Sequence, residues 1–307
     1  MGKYIVKRII LAILTIFVIS LITFFSMNAI PGGPFNSEKA KSPAVMEELE
    51  ARYGLDQPLL VQYKNYMVGV LHGDFGVSLK TDRPISDVIG ESFPISAKLG
   101  LLSALLAIVA GVVLGSIAAL MRNKWPDRII VFFVTLITSM PSFVIATLLL
   151  YFFCIKLGVV QAFNSESNMV LLPVISLSLS PMAYITRLTK TSMLDALGQD
   201  YIRTAKAKGV SQAKVIFVHG LRNALIPVIT YLGPQIAFTL CGGLVVEQVF
   251  SIPGLGRYFI QSIQNRDYPL IMGTTIFLAA FIIVMNLIVD LCYKLVDPRI
   301  NLAKGGN

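Results

Sequence analysis

"YIRTAKAKGVSQAKVIFVHGLRNALIP", residues 201–227, sets Arg203, Lys206, Lys208, Lys214, His219 and Arg222 in the middle of a chain that is 55% hydrophobic. The flanks decide what this stretch means. The 307 residues have a mean hydropathy of +0.73 and only 14% are charged, against about 25% in a soluble globular protein. Such a composition asks for a bilayer as solvent. Crossing roughly 30 Å of hydrocarbon takes roughly 20 helical residues. Residues 9–30, 99–121, 129–155, 224–246 and 270–289 contain no Asp, Glu, Lys or Arg, and a sixth such run, 167–186, holds Pro173 and Pro181. The sequence therefore predicts an all-α membrane protein of six transmembrane helices, with the basic stretch between the fourth and fifth.

The first run follows Lys3, Lys7 and Arg8 as a signal peptide would. Its apolar part exceeds an ordinary h-region, and Asn28-Ala29-Ile30-Pro31 is a poor cleavage site, so a retained anchor is expected. Orientation follows from where the basic residues fall rather than from the net charge of +9. With the N-terminus inside, the cytoplasmic segments collect Lys3, Lys7, Arg8, Arg122, Lys124, Arg128, Arg187, Lys190, the basic residues of the opening stretch, Lys294, Arg299 and Lys304. The short outside loops hold only Lys156, Arg257 and Arg266. Both termini are then cytoplasmic.

The expected organisation is an N-terminal segment and first span (1–30), an insertion outside the membrane (31–95), a core of five spans (96–296) and a cytoplasmic tail (297–307). In the insertion, Leu49, Tyr53, Leu60, Tyr63 and Met67 recur at helical spacing, predicting two or three short helices before Pro94 opens the second span. The cysteines, Cys154, Cys241 and Cys292, fall in or beside spans without metal-ligand spacing and read as small packing residues.

Some chemistry is missing from the sequence. There is no G-x-x-x-x-G-K-[ST] phosphate cradle, no H-E-x-x-H and no G-x-S-x-G. Ionisable residues near mid-membrane, the mark of a proton- or ion-driven carrier, are scarce. Glu247 and Asp290 sit at span ends. An ion-gradient-driven secondary transporter is thus the weaker alternative. Pro141, Pro181 and Pro234 lie among Ser and Thr, and a proline at membrane depth frees carbonyls that neighbours or water must satisfy. Ser139, Ser142, Ser180, Thr230 and Gln235 are accordingly the candidates for lining a pathway, with ordinary kinked packing helices as the competing reading.

Within the opening stretch, residues 201–208 are free of Gly and Pro, Gly209 stands where a left-handed helix end is wanted, and Ser211 can cap a second helix. Arg203, Lys206 and Lys208 cover much of the first helix, leaving Tyr201, Thr204 and Ala205 as a narrow face able to seat in a partner's groove. The second helix leads through Asn223 into the fifth span, with Pro227 in its first turn.

"DYIRTAKAKG" followed by "HGLRNALIPVIT" resembles the coupling loop of the integral-membrane permease subunits of ATP-binding-cassette (ABC) importers, in the peptide and nickel branch, where an Ala and a Gly keep fixed spacing; here they are Ala205 and Gly209. Many such permeases carry an acid two residues before the Ala. This chain has Arg203 there, as the Arg-Thr-Ala of the peptide branch does. "IPGGPF", "YGLDQPLLVQY", "HGDFGVS", "SFPISAKLG", "EQVFSIPGLG", "NRDYP" and "DLCYKLVDPRI" resemble the same branch, and "GGPF" and "SFPISAKLG" look most like its B-type oligopeptide permeases.

The resemblance implies a type I importer permease, itself no ATPase, in the bacterial cytoplasmic membrane. It implies a second permease subunit, two cytoplasmic ATPases that bind ATP and Mg, and an extracytoplasmic binding protein that delivers oligopeptide; no nucleic acid takes part. Dipeptide, nickel or another small solute remains the alternative cargo. Tyr201, Arg203, Thr204, Ala205, Lys206, Ala207, Lys208 and Gly209, within a loop of 187–223, would form the knob that docks on an ATPase. "SIPGLG" should form a tight outside turn in which Gly254 and Gly256 take unusual backbone angles.

Overall fold

The computed structural model describes residues 2–31, 33–34, 54–161, 163, 169–241 and 243–296, with only the backbone of 2–5 and 291–296. Much of the expected outside insertion, 35–53, and the tail from 297 lie outside the described residues, as does the side chain of Cys292. The helices are α1 (Gly2–Ala29), α2 (Leu59–Leu71), α3 (Ile85–Leu120), α4 (Trp125–Ser139), α5 (Ser142–Leu149), α6 (Leu171–Leu197), α7 (Asp200–Ala207), α8 (Arg222–Leu240), α9 (Leu244–Val249), α10 (Leu255–Asn265) and α11 (Tyr268–Val296). A π segment, Leu150–Lys156, continues α5; a turn, Gln212–Lys214, and a second π segment, Val215–Leu221, run directly into α8. Among the described residues five stretches are long and apolar enough to cross a membrane, or six when the bent pair α4 and α5 counts as one span.

Two compact units emerge. The first takes the described residues up to Ile95 together with Pro253–Ile288. Phe24 and Met27 of α1, Tyr63 of α2, Leu79, and Tyr268, Ile271, Met272 and Ile276 of α11 form its main cluster. Two hydroxyls tie the cluster together: Ser20 Oγ lies 2.8 Å from Tyr63 Oη, and Tyr268 donates to the Met27 carbonyl at 3.1 Å. A second cluster joins Ile85, Val88 and Ile89 to Leu255 and Leu270.

The "HGDFGVS" and "NRDYP" motifs meet in this unit. Asp267, almost fully buried, accepts Ser78 Oγ at 2.5 Å and the Leu79 N–H at 3.1 Å. Ser78 Oγ accepts the backbone N–H of Lys80 and Thr81 in turn, and Arg266, in the left-handed region at the end of α10, donates to the Pro31 carbonyl at 2.8 Å.

The second unit comprises the described residues of Ser96–Ile252 together with 289–296. Its axis is α6, which buries Ser176, Ser178, Pro181, Ala183, Ile185, Thr186, Thr189 and Met193 along its length. Small residues let α3 come close: a Cβ on Gly111 would lie 2.7 Å from Ile185 Cγ2, and one on Gly115 would lie 2.6 Å from the Thr186 carbonyl oxygen. Such contacts bring helices together where lipid offers no hydrophobic drive. The fifth-span helix α8 joins the same seam: Ala107 of α3, Ile185 and Val228 form one cluster, and Ala119 of α3, Met193, Ala196 and Ala224 form another.

Several expectations need correction. The third span is not one kinked helix: α4 and α5 meet at 106°. Pro141 cannot supply the N–H that would continue α4 and forces Met140 into extended backbone, φ −106° and ψ 134°. Thr138 and Ser139 donate instead to the Thr135 carbonyl, at 3.0 and 2.8 Å. The fifth run, 224–246, breaks after Leu240 and resumes as α9. Pro227 lies in the interior of a helical stretch already under way at Gln212, not in a first turn. Pro94 likewise lies inside α3, which starts earlier because Ile85, Val88 and Ile89 bury an apolar face before the membrane run begins. In "SIPGLG" the left-handed residue is Ser251 (φ 57°); Gly254 is extended and Gly256 helical.

Candidate functional site

The basic stretch folds as a short exposed helix, α7, with a tight end. Lys208 is its C-cap, Gly209 follows at φ +75°, the Gly209 N–H bonds to the Lys206 carbonyl at 3.0 Å, and the Val210 N–H bonds to that of Ala205 at 3.1 Å. This is a Schellman end, and it explains the spacing of Ala205 and Gly209. The first is the carbonyl acceptor three residues inside the cap and the second is the left-handed residue just beyond it.

One side chain holds α7 to the unit. Ile202 is 1% exposed, and Ala205 and Val210 are half-buried; Tyr201, Arg203, Thr204, Lys206, Ala207, Lys208 and Gly209 are exposed. Sequence reading missed Ile202; of the face it assigned to a partner's groove, Tyr201 and Thr204 are exposed and Ala205 is half-buried. Tyr201 is partly committed to the chain itself, because its hydroxyl accepts Asn223 Nδ2 at 3.2 Å. Arg203 and Asp200 face each other at 3.4 Å, both almost wholly in solvent. What remains is a compact cationic knob on a rigid stem.

The pathway candidates separate. Ser142, Ser180 and Gln235 come together around a cavity of about 390 Å³, with Leu177, Pro181, Thr239, Gly243 and Val246 among its other lining residues. Ser139 and Thr230 are not among them. Both are exposed and bond back to their own helices, Ser139 to the Thr135 carbonyl at 2.8 Å and Thr230 to that of Ile226 at 3.0 Å. The cavity lies where two runs break: Pro141 leads into Ser142, and α8, which carries Pro234 in its interior, ends at Leu240 before α9.

A ladder not anticipated as such runs along α8. Tyr231 Oη donates to Gln235 Oε1 at 2.8 Å, and Gln235 Nε2 donates to Thr239 Oγ1 at 3.1 Å. The Tyr231 ring lies 4.2 Å from that of Tyr184 on α6. The i, i+4 spacing of Tyr231, Gln235 and Thr239 was the available signal. The result is a line of two hydroxyls and an amide without formal charge, of which Gln235 and Thr239 reach the cavity. Among the described residues no cluster of His, Cys, Asp and Glu suited to a metal is present. Of the cysteines, Cys241 is a buried free thiol and Cys154 a half-buried one.

Residues 111–302 match the family described as "Binding-protein-dependent transport system inner membrane component", and residues 1–100 match its N-terminal companion. The "Dipeptide transport system permease protein DppB" of Bacillus subtilis (strain 168) is 47% identical over 309 residues, all of both chains. The "Oligopeptide transport system permease protein OppB" of Haemophilus influenzae is 43% identical over 304 residues, covering 98% of this chain and 99% of that one. Among solved structures, an amino acid ABC transporter superposes on 70% of this chain and 95% of its own with a TM-score of 0.54 at 18% identity, a likeness of fold. With both family segments in chain order, relatives matched end to end and an all-helical fold shared with an ABC transporter, this chain belongs to the binding-protein-dependent transport system inner membrane components and is a multi-pass permease subunit of the cytoplasmic membrane.

Proposed function

We propose that the chain is one permease subunit of a peptide importer driven by separate ATPases, with α7 as the part that receives their movement. The observation that carries this reading is α7 itself: an exposed cationic helix closed by a Schellman end, anchored through Ile202 and joined by the two-residue link Gly198-Gln199 to the most buried helix of its unit. A knob so built can be displaced without unwinding. Peptide as cargo is supported by the relatives named for dipeptide and oligopeptide transport, and by a cavity lining without charge, mostly apolar with Ser142, Ser180, Gln235 and Thr239 as its polar side chains, which suits solutes that vary in side chain.

The same reading puts α7 and both termini in the cytoplasm and residues 31–95 outside, where a binding protein would deliver cargo. A second permease subunit would complete the pathway, and ATP with Mg would be held by the two partner ATPases rather than by this chain. Alternating access then requires two packings of the spans, biased by the nucleotide state of the ATPases. The 47% identical relative named for dipeptides favours short peptides as the alternative to longer ones.

The test is co-purification with the ATPases, followed by uptake into liposomes of labelled peptides of graded length, with and without ATP and the binding protein. Uptake that needs all components supports the proposal. Uptake by the chain alone, or uptake driven by an ion gradient, would refute it.

A further inference from the structure

Asp127, in the first turn of α4, is 5% exposed, and its Oδ1 lies 2.5 Å from Nζ of Lys190 on α6. Its other oxygen accepts the N–H of Asn123, 3.0 Å away, in the turn between α3 and α4. One carboxylate therefore ties three parts of the second unit together: the end of α3, the start of α4 and the last third of α6. Burying a charged pair gives little net stability, because desolvation offsets most of the attraction, and apolar side chains of similar volume usually do as well. What a pair of this kind has and methyl contacts lack is a single geometry. Charge-assisted hydrogen bonds fix both direction and distance.

The location gives that geometry a use. Lys190 stands on the part of α6 that leads into α7. Between them lie only Gly198 and Gln199: the Gly198 and Gln199 N–H groups close α6 on the Leu194 and Ala196 carbonyls, Gln199 is extended, and the Ile202 N–H opens α7 on the Gln199 carbonyl. With so short a link, and with Ile202 buried and Tyr201 bonded to Asn223, α7 has little slack against the unit. The neighbouring Thr189 sits on Gly115 of α3, with its Cβ 2.6 Å from where a glycine Cβ would be. Contacts among glycines and methyl groups allow helices to slide, whereas the Asp127–Lys190 pair beside them does not.

We propose that Asp127 and Lys190 are positioning residues of the coupling step: the pair makes the ends of α3, α4 and α6 follow α7 as one body, so that displacement of the knob moves membrane helices instead of bending the link. This rests on the reading of α7 as the site where the ATPases act. The pair touches no cargo and holds no nucleotide; its contribution is to set how much transport each ATP yields.

The experiment uses the assembled transporter, with partner permease, ATPases and binding protein, in liposomes, measuring uptake and ATP hydrolysis together. Lys190→Met alone leaves a buried carboxylate and tests little beyond assembly, so the decisive variant is the doubly neutral Asp127→Asn/Lys190→Met. It is expected to assemble at the parental yield and to hydrolyse ATP, while peptide imported per ATP falls about five-fold, within the range of mutations that modulate coupling between sites. Lys190→Arg, which keeps the charge, is expected to keep the parental ratio. An unchanged ratio in the doubly neutral variant overturns the proposal, as does failure of that variant to assemble, which would make the pair a support of the fold. Gly209→Val on α7 separates the two readings. If it uncouples and the doubly neutral variant does not, only the strut is wrong; if neither uncouples, α7 is not the point of drive.

Discussion

The clasp around Asp267 and the exposed helix α7 are built on opposite plans. At the clasp, a buried carboxylate gathers Ser78 Oγ and the Leu79 N–H from nearly two hundred residues away in sequence, and every polar group serves the chain's own packing. At α7, one buried isoleucine, a half-buried Ala205 and one Tyr201–Asn223 hydrogen bond hold a helix whose remaining side chains face solvent. The contrast separates what folds the chain from what it offers to others. Order at the clasp is intrinsic, whereas on the proposed reading the surface of α7 gains its purpose from a partner ATPase.

Substitutions should follow that division. Asp267→Ala strands the Ser78 hydroxyl and the Leu79 N–H inside the first unit, and each buried unsatisfied group costs about 1–3 kcal/mol, so the expected loss is about 3 kcal/mol, read as a large fall in the thermal midpoint in detergent. Little change would mean the clasp is redundant. Ile202→Ala, the same experiment on the stem of α7, should cost about 2 kcal/mol for the lost buried side chain, and its effect should be confined to faster amide exchange in residues 200–210.

Gly209→Val should cost less, about 1–2 kcal/mol for a β-branched residue held at φ +75°. No atom blocks the added Cβ, so the penalty is conformational alone. Uptake should nevertheless fall far more than stability, with ATP hydrolysis retained. At the foot of the scale, Arg203→Ala removes an ion pair whose side chains are 80% and 94% exposed, and stability should move by less than about 0.5 kcal/mol. A weakened ATPase complex together with an unmoved midpoint would sharpen the contrast; a large loss of stability would break it.

The sequence carried some of this architecture and not the rest. Charge-free runs announced the spans because a helix in lipid must be apolar over a fixed length. Gly209 announced the end of α7, since a left-handed residue closing a helix is usually glycine. Pro141 marked a break but not its 106° angle, which depends on what Met140 and the two helices pack against. Of the pathway candidates, Ser142, Ser180 and Gln235 meet at one cavity, while Ser139 and Thr230 face elsewhere. A hydroxyl near a proline reveals nothing about which side of its helix is lined. The partnerships of Ser78 with Asp267 and of Asp127 with Lys190 were illegible for a plainer reason. Side chains 189 and 63 residues apart meet only once the fold exists.

The most direct test concerns where α7 points and what it meets. In the assembled transporter, with Cys154, Cys241 and Cys292 replaced by Ala, a single Ala207→Cys on the exposed face of α7 is treated with a short thiol cross-linker. The expected result is a cross-link to an ATPase subunit, together with protection of that thiol from a membrane-impermeant reagent applied outside intact cells. Labelling from outside, with no cross-link to an ATPase, would contradict the proposal that this permease is driven through α7.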